Sequence, residues 1–363
     1  MKKILFLTML MILLFTGCGG SSSQQSSTQS SAQQSSQSST QSSSQLSSRQ
    51  EIFAMDTYMT LTGYGENCEE AVSAAIEEIE RLDELLSVGK ENSEISAINT
   101  NGNGKVSEDT EIMLKESLSL YETTEGAFDI TVYPLMEAWG FTSDDFHVPE
   151  SGEIEAILKT VDSSAIKYDP ASKTIELDDG QGVDFGGIAK GYASGRVMEI
   201  FEQYDLTSGM VSLGGNVHCY STKTDGSLWR VGIVKPDSVE SDTDILGVVS
   251  VKDKAVITSG GYERFFEDEE TGKTYHHILD PETGYPAESG LISVTIVSEN
   301  GMLADGLSTS LFIMGLEKAE NYWQQYGDTF EMILMDENGT VYITEGLKQN
   351  FSTEFPLSVI RRE

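Results

Sequence analysis

The stretch VDFGGIAKGYASGRVMEIF, residues Val183–Phe201, joins a short apolar segment to an apparent helix through a glycine pair, with Lys190 close behind. Glycines at such a junction let the backbone approach a ligand closely, and the open N–H groups of a helix N-terminus attract phosphate. The stretch therefore indicates an anion site at the start of a helix. It matches neither GxxxxGK[ST] nor GxGxxG, so the usual nucleotide motifs do not apply. A tight turn beside a solvated lysine remains the alternative.

The flanking segments predict an α+β domain. Apolar residues at helical spacing predict one helix after Asn67, which can cap it together with Glu70, and another over Glu108–Thr124. Alternating and β-branched residues predict strands at Glu51–Tyr64, Thr174–Leu177, Val211–Leu213, Leu291–Ser298, Phe330–Met335 and Thr340–Thr344. Because strands and helices do not alternate regularly, the pattern favours mixed and antiparallel sheets covered by amphipathic helices over a doubly wound sheet.

The N-terminus MKKILFLTMLMILLFTGCGG has the features of a secretory signal. Lys2 and Lys3 precede the apolar run Ile4–Phe15, which is too short to be read first as a mature transmembrane span. Small residues directly before Cys18 resemble a bacterial lipobox, so we expect a signal peptide over residues 1–17 and a lipid, typically palmitate, on Cys18. An ordinary signal with an incidental cysteine is the alternative.

A low-complexity segment separates this signal from the rest of the chain. Residues Ser21–Gln50 are almost wholly Ser and Gln and offer no apolar surface to offset the entropy of ordering. We expect residues 18–50 to be a disordered spacer and residues 51–363 to be the folded domain, with an acidic excursion over 142–169. Such a spacer would hold a lipid-anchored domain on the extracytoplasmic face of the cell membrane.

Charge and cysteine content exclude several classes of function. The formal net charge is −36, from 59 acidic and 23 basic residues, so nucleic acid is excluded as a partner. An anionic small ligand needs a local lysine, a helix terminus or a divalent cation to hold it. Beyond Cys18 only Cys68 and Cys219 remain, which excludes a disulfide-dense scaffold; we expect two separate thiols.

The segment GMLADGLSTSLFIMGL, Gly301–Leu316, predicts a helix with one polar face. At 100° per residue Asp305 and Thr309 lie about 40° apart, opposite the main apolar stripe. Phe312 lies near them, so this face is expected to be enclosed. An enclosed carboxylate needs a partner, which is either a hard cation with oxygen ligands or nearby backbone N–H groups.

Several motifs in one order carry a family resemblance. VDFGGIAKGYA, SLGGN, SGGYER, HILDPETG and LADGLSTS, with MDT, SEISAIN and GAFDITVYPL upstream, resemble the FAD:protein FMN transferases, the ApbE-like flavinyltransferases, from Phe53 to about Tyr342. The resemblance implies a T-fold-like α+β domain and a Mg²⁺-dependent extracytoplasmic enzyme. Such an enzyme cleaves the pyrophosphate of FAD, attaches FMN to a Ser or Thr of an exported or membrane-bound protein, and releases AMP.

Carried over residue by residue, the resemblance implies three groups of site residues. Asp305, Thr309 and the carbonyl of Gly187 would bind Mg²⁺, and His277 would act with Asp305 in catalysis as a base or phosphate-orienting group. Lys190 would neutralise the pyrophosphate. The remaining FAD-site positions implied are Met55, Asp129, Thr131, Asp184, Gly215, Ser259 and Ile278.

One position departs from the family pattern. Many family members carry a Tyr that stacks on the flavin where this chain has Gly89. Loss of that stack would favour turnover, or water as the acceptor, over tight FAD storage. An FAD pyrophosphatase that gives FMN and AMP is therefore the alternative enzyme, and a flavin-binding lipoprotein without chemistry is the alternative from another class.

Overall fold

The computed structural model describes residues 46–143, 145–236 and 245–362. The predicted signal peptide, Cys18 and the spacer up to residue 45 lie outside the described residues. The predicted spacer end at Gln50 is corrected, because Ser47–Gln50 already pair with Leu61–Tyr64 in a first antiparallel ladder. The described residues all belong to one compact unit, and the excursion over 142–169 stays a prediction.

The described residues form a nine-stranded sheet in the order β1-β2-β6-β7-β10-β13-β14-β15-β17, with a three-stranded sheet β16-β9-β8 and smaller ladders β3-β5-β4 and β11-β12. Neighbouring strands of the large sheet are antiparallel except the parallel pair β15 and β17. The strands are β1 (Ser47–Ala54), β2 (Thr57–Tyr64), β3 (Asn103–Lys105), β4 (Lys167–Asp169), β5 (Thr174–Glu176), β6 (Ser208–Leu213), β7 (Asn216–Tyr220), β8 (Trp229–Val234), β9 (Ile245–Val251), β10 (Ala255–Ser259), β11 (Phe265–Glu267), β12 (Thr274–His276), β13 (Leu291–Ser298), β14 (Phe330–Asp336), β15 (Val341–Thr344), β16 (Phe351–Ser352) and β17 (Leu357–Ile360).

The α-helices of the described residues are α1 (Cys68–Leu86), α2 (Glu94–Asn101), α3 (Glu108–Thr123), α4 (Tyr133–Ala138), α5 (Ser151–Ile157), α6 (Gly186–Gln203) and α7 (Gly301–Tyr326). They include the four that were expected, α1, α3, α6 and α7. The predicted cap of α1 is wrong, because the Asn67 side chain makes no cap hydrogen bond and its Nδ2 donates instead to the Tyr204 carbonyl at 3.0 Å. The α+β class with mixed and antiparallel sheets is confirmed.

The single strand predicted over Glu51–Tyr64 is instead a hairpin. Met55 and Asp56 both have left-handed backbone, with φ of 47° and 57°, and they reverse the chain between β1 and β2. Two adjacent residues at positive φ suit the twist of a two-residue hairpin turn, but Gly and Asn are the residues that usually announce it. Because Met gives no such signal, the turn could not be read from the sequence.

The large sheet is covered on both faces. Helices α1, α6 and α7 pack against one face around Leu61, Val197 and Leu307. The other face packs against β8 and β9 around Val231, Val249 and other apolar side chains. Burial on both faces requires apolar residues on both sides of the central strands, as Leu291–Ser298 shows by being buried almost throughout.

Antiparallel pairing brings several turns to one end of the sheet. The β1–β2 turn and the Gly214–Gly215 turn between β6 and β7 lie side by side, since Gly214 N donates to the Tyr58 carbonyl at 3.1 Å. Strand β10 runs antiparallel to β7 and therefore ends, at Ser259, on the same side. The fold thus places three of the motif segments, MDT, SLGGN and SGGYER, at the same end of the sheet.

Within the described part of the chain, no helix is both long enough and apolar enough to cross a membrane. Cys68 and Cys219 are both buried and unbridged. The expectation of two separate thiols is therefore confirmed.

Candidate active site

Asp305 is a buried carboxylate held by two N–H donors. Its side chain is 5% exposed. Oδ2 accepts the Gly191 N–H at 2.7 Å, and Oδ1 accepts from Asn216 Nδ2 at 3.1 Å. Burial raises the pKa of this carboxyl, while the charge of Lys190 and these two hydrogen bonds oppose the rise. Each oxygen keeps a lone pair, so the carboxylate can still bind a cation.

Thr309 follows one helical turn after Asp305 and is also anchored. Ser259 Oγ lies 3.2 Å from Thr309 Oγ1 and 2.8 Å from Ser308 Oγ, so the end of β10 fixes the hydroxyl side of α7. The expected enclosure of this face is confirmed, since Phe312 is only 2% exposed.

Gly187 is brought towards the same helix by Phe128. A Cβ on Gly187 would lie 3.2 Å from Phe128 Cε2, and a Cβ on Gly306 would lie 3.5 Å from the same atom. The Gly187 backbone and the Asp305–Gly306 turn therefore border one ring. A carboxylate, a hydroxyl and a carbonyl are oxygen ligands of the kind that Mg²⁺ prefers, so this donor set fits that ion. Over residues 46–143, 145–236 and 245–362 no cluster of three His, Cys, Asp or Glu offers a different metal site.

Lys190 is the positively charged side chain that acts on the acidic residues of the site. Its charge acts on the carboxyls of Asp184, Glu263 and Asp305 and on the imidazole of His277. Lys190 stands on the first turns of α6, where helix N–H groups add positive potential. A phosphate group placed there would meet a fixed positive charge inside a strongly acidic protein.

The start of α6 is fixed by two side chains. Asn99 on α2 brackets Val183, since its Nδ2 donates to the Val183 carbonyl at 2.9 Å and its Oδ1 accepts the Val183 N–H at 2.7 Å. Asp184 Oδ1 then accepts the Gly186 N–H at 2.8 Å. Burial raises the pKa of Asp184, whereas the Gly186 bond and the charges of Lys190 and Arg264 oppose the rise. The SEISAIN segment thus positions the glycine pair.

His277 is held as a neutral imidazole. Its Nδ1 lies 3.1 Å from the Arg264 carbonyl, which can only accept, so Nδ1 carries the proton and Nε2 keeps a lone pair. Burial lowers the pKa of His277 to about 4, and the nearby charges of Lys190 and Arg264 add to the effect. The ring of Phe141 lies edge-on at 6.4 Å between centroids. A neutral His277 is able to take a proton.

Glu263 is a site residue that the sequence did not single out. It lines a cavity of about 160 Å³ together with Gly215 and Tyr262. Glu263 is exposed to solvent, but the protein around it displaces enough water to raise its pKa to about 7, and the charge of Lys190 opposes the rise. The only signal was its place in SGGYER, which does not distinguish it from a surface glutamate.

Asp129 and Thr131 lie in a buried hydrogen-bond network. Asp129 Oδ1 accepts from Thr131 N at 2.7 Å, from Thr131 Oγ1 at 2.5 Å and from Ser163 Oγ at 2.6 Å. These contacts satisfy the side chains within the protein and tie the segment near Ser163 to the core. The backbone between them faces the site, because the Ile130 carbonyl accepts the Asp184 N–H at 2.8 Å. Their FAD role stays a prediction.

The remaining predicted FAD positions differ in how open they are. Met55 is half-buried in the hairpin turn, and the charge of the adjacent Asp56 acts on Asp184. Gly215 has a φ of 98° and open space where a Cβ would stand. Ile278 uses both backbone groups internally, with its N–H donated to His276 Nδ1 at 3.3 Å and its carbonyl accepting from Ala287 N at 3.0 Å.

Gly89 lies in the loop between α1 and α2. A Cβ there would meet only Ser87 Oγ, at 3.8 Å. Space therefore does not require a glycine at this position.

Comparison with known proteins shows which family this chain is similar to. The ApbE family matches residues 55–334. The chain is 34% identical over 248 residues to a FAD:protein FMN transferase of Vibrio cholerae, covering 66% of this chain and 72% of the relative. It is 30% identical over 291 residues to that of Haemophilus influenzae, covering 78% of this chain and 82% of the relative.

Solved structures of ApbE proteins are also similar to this chain. The crystal structure of the ApbE protein from Thermotoga maritima has a TM-score of 0.78 and 33% identity, covering 84% of this chain and 99% of that one. The flavin transferase ApbE from Vibrio cholerae has a TM-score of 0.74 and 25% identity with the same coverage.

Proposed function

Because the chain belongs to the ApbE family and is a flavinyltransferase that moves flavin from FAD to a protein, we propose that it does so with Mg²⁺ and a hydroxyl acceptor. FMN passes to a Ser or Thr of an exported or membrane-bound protein, and AMP is released. The observation that carries the proposal is the buried Asp305 carboxylate, which accepts the N–H of Gly191 directly after Lys190 in the first turns of α6.

Each side chain has one task in this reaction. Asp305, Thr309 and the Gly187 carbonyl would hold Mg²⁺, which would neutralise charge on the pyrophosphate and polarise its phosphorus–oxygen bonds. Lys190 binds the phosphate oxygens. Asn216 and the Gly191 N–H keep the Asp305 carboxylate pointed in one direction.

The transfer is a substitution at the phosphorus atom of the FMN half of FAD, with AMP as the leaving group. The acceptor oxygen forms a new bond to that phosphorus, and the bond from phosphorus to the bridging oxygen breaks, so AMP leaves. The hydroxyl proton goes to His277 Nε2 and then to solvent. His277 is suited to this step because its Nδ1–H is already committed to the Arg264 carbonyl.

The location is also part of the proposal. A signal over residues 1–17, a lipidated Cys18 and a Ser/Gln spacer would hold the domain at the extracytoplasmic face of the membrane. An exported acceptor would meet the enzyme there.

The proposal is tested by incubating the purified protein with FAD, Mg²⁺ and exported candidate acceptor proteins. AMP release and a mass increase of one FMN on the acceptor are expected, and the increase should vanish when the acceptor Ser or Thr is replaced. Free FMN and AMP with every acceptor would favour the pyrophosphatase, and flavin binding without AMP would favour a binding protein.

We expect Lys190→Ala to weaken FAD binding about tenfold or more while riboflavin binding changes little. A charged hydrogen bond to phosphate is worth about 1.5–3 kcal/mol, and only FAD presents a pyrophosphate. Titration of each ligand against wild type and variant, followed by flavin fluorescence, measures the two constants. Lys318→Ala on the later turns of α7 serves as a charge-matched control. Equal losses for both ligands would move Lys190 away from the phosphates.

A further inference from the structure

Helices α6 and α7 cross at two glycines beside Asp305. A Cβ on Gly191 would lie 2.2 Å from the Gly301 carbonyl oxygen and 2.6 Å from Asp305 Cβ. A Cβ on Gly301 would in turn lie 2.5 Å from Ser194 Oγ and 2.7 Å from the Gly191 carbonyl oxygen. The crossing therefore sets where Gly191 N–H meets the Asp305 carboxylate, at 2.7 Å.

Ser194 and His218 connect this crossing to the sheet. Ser194 Oγ lies 2.8 Å from the Gly191 carbonyl oxygen and 3.0 Å from His218 Nδ1. A hydroxyl has one proton, and the carbonyl can only accept, so Ser194 donates to Gly191 and His218 Nδ1–H donates to Ser194. Burial lowers the pKa of His218 to about 4, which keeps this imidazole neutral.

A cavity adjoins this crossing on one side. Gly191, His218 and Gly301 are among the residues of α6, β7 and the start of α7 that line a cavity of about 600 Å³. Ser194 and His218 are themselves only 1% and 4% exposed. At the crossing, α7 therefore packs against a buried Ser194–His218 pair whose hydrogen bonds run to α6 and β7.

We propose that Ser194 and His218 are positioning residues for the metal-binding carboxylate of Asp305. By tying α6 at Gly191 to β7, whose Asn216 is the second donor to Asp305, they keep the Gly191 N–H aligned on Oδ2 and leave the other lone pairs of the carboxylate directed at the cation. The inference rests on the proposed metal site. Supporting groups of this kind change metal affinity by about 10–100-fold when they are removed.

The test measures metal binding directly. Free Mn²⁺ is followed by electron paramagnetic resonance during titration of each purified variant, and binding that persists in Asp305→Ala is subtracted as non-specific. We expect Ser194→Ala and His218→Leu each to weaken the Asp305-dependent site about tenfold or more. His218→Asn should restore most of the affinity, because its amide nitrogen can take the place of Nδ1 as donor to Ser194.

Ser117→Ala is the matched control. Ser117 is a buried helical serine, 1% exposed, whose Oγ has no hydrogen-bond partner in the described structure. This variant should bind Mn²⁺ like wild type, and thermal unfolding without metal shows whether either serine variant has lost its fold. At saturating metal, FMN transfer by Ser194→Ala should approach the wild-type rate.

The outcomes separate the two proposals. Wild-type Mn²⁺ binding that Asp305→Ala leaves unchanged would refute the metal site and the inference with it. If Ser194→Ala is folded and its Asp305-dependent site binds Mn²⁺ with undiminished affinity, the inference is overturned and the metal site is not. Failure of His218→Asn to restore affinity, with His218→Leu folded, would also overturn it.

Discussion

Asp305→Asn is expected to lower FMN transfer by at least about 10³-fold, which corresponds to about 4 kcal/mol of transition-state stabilisation. The change keeps the shape of the side chain but removes its negative charge. It also places an NH₂ group opposite an N–H donor, because Gly191 and Asn216 each donate to one carboxylate oxygen. One donor is left without an acceptor inside the protein, and the cation loses its only charged ligand in the proposed set.

The measurement is AMP release and acceptor labelling at saturating Mg²⁺, with thermal unfolding to establish that the variant is folded. Asp336→Asn is a suitable control, because Asp336 Oδ1 also accepts two N–H groups, from Asn338 at 3.0 Å and Thr340 at 2.8 Å, in the β14–β15 hairpin. Its loss should affect the hairpin and not the reaction. Wild-type rates in Asp305→Asn would remove Asp305 from the metal site.

The parts of the site that could be predicted are those carried by one regular element. The helical period of 100° per residue alone predicts that Asp305 and Thr309 share a face of α7. The position of Phe312 near them predicts that this face is enclosed. The strands over Leu291–Ser298 and the β14–β15 hairpin were also predictable, because alternation and the ENG turn are local signals.

Contacts between elements could not be predicted. Asn216, at the start of β7, meets Asp305 on α7 only in the folded chain, and no spacing in the sequence predicts the pairing of residues so far apart. Glu263 acquires a raised pKa from the protein around it, which a sequence does not display. The Met55–Asp56 turn could not be predicted, since Met does not favour the left-handed region that the hairpin imposes and one adjacent Asp does not specify a turn.

The pH dependence of transfer follows from the state of His277. Its pKa is lowered to about 4 from an ordinary 6.5, so the neutral, proton-accepting form persists as the pH falls through 6.5 and is lost only near the lower value. Glu263 titrates near 7 at the same site and would add a second transition. Glu263→Gln removes that group, so kcat/KM measured in this background should stay level from pH 8 to about 5.

His277→Gln is expected to lower transfer to the acceptor by about 10²–10⁴-fold, the usual contribution of a positioned general base. His276→Gln is the matched control, because His276 uses both ring nitrogens inside the protein, at 3.2 Å from the Ala287 carbonyl and 3.3 Å from the Ile278 N–H, and has no lone pair left for substrate. Acceptor labelling and AMP release are measured for both variants across the pH range. Retained labelling in His277→Gln, or a Glu263→Gln profile that falls with a midpoint near 6.5, would show that another group takes the hydroxyl proton.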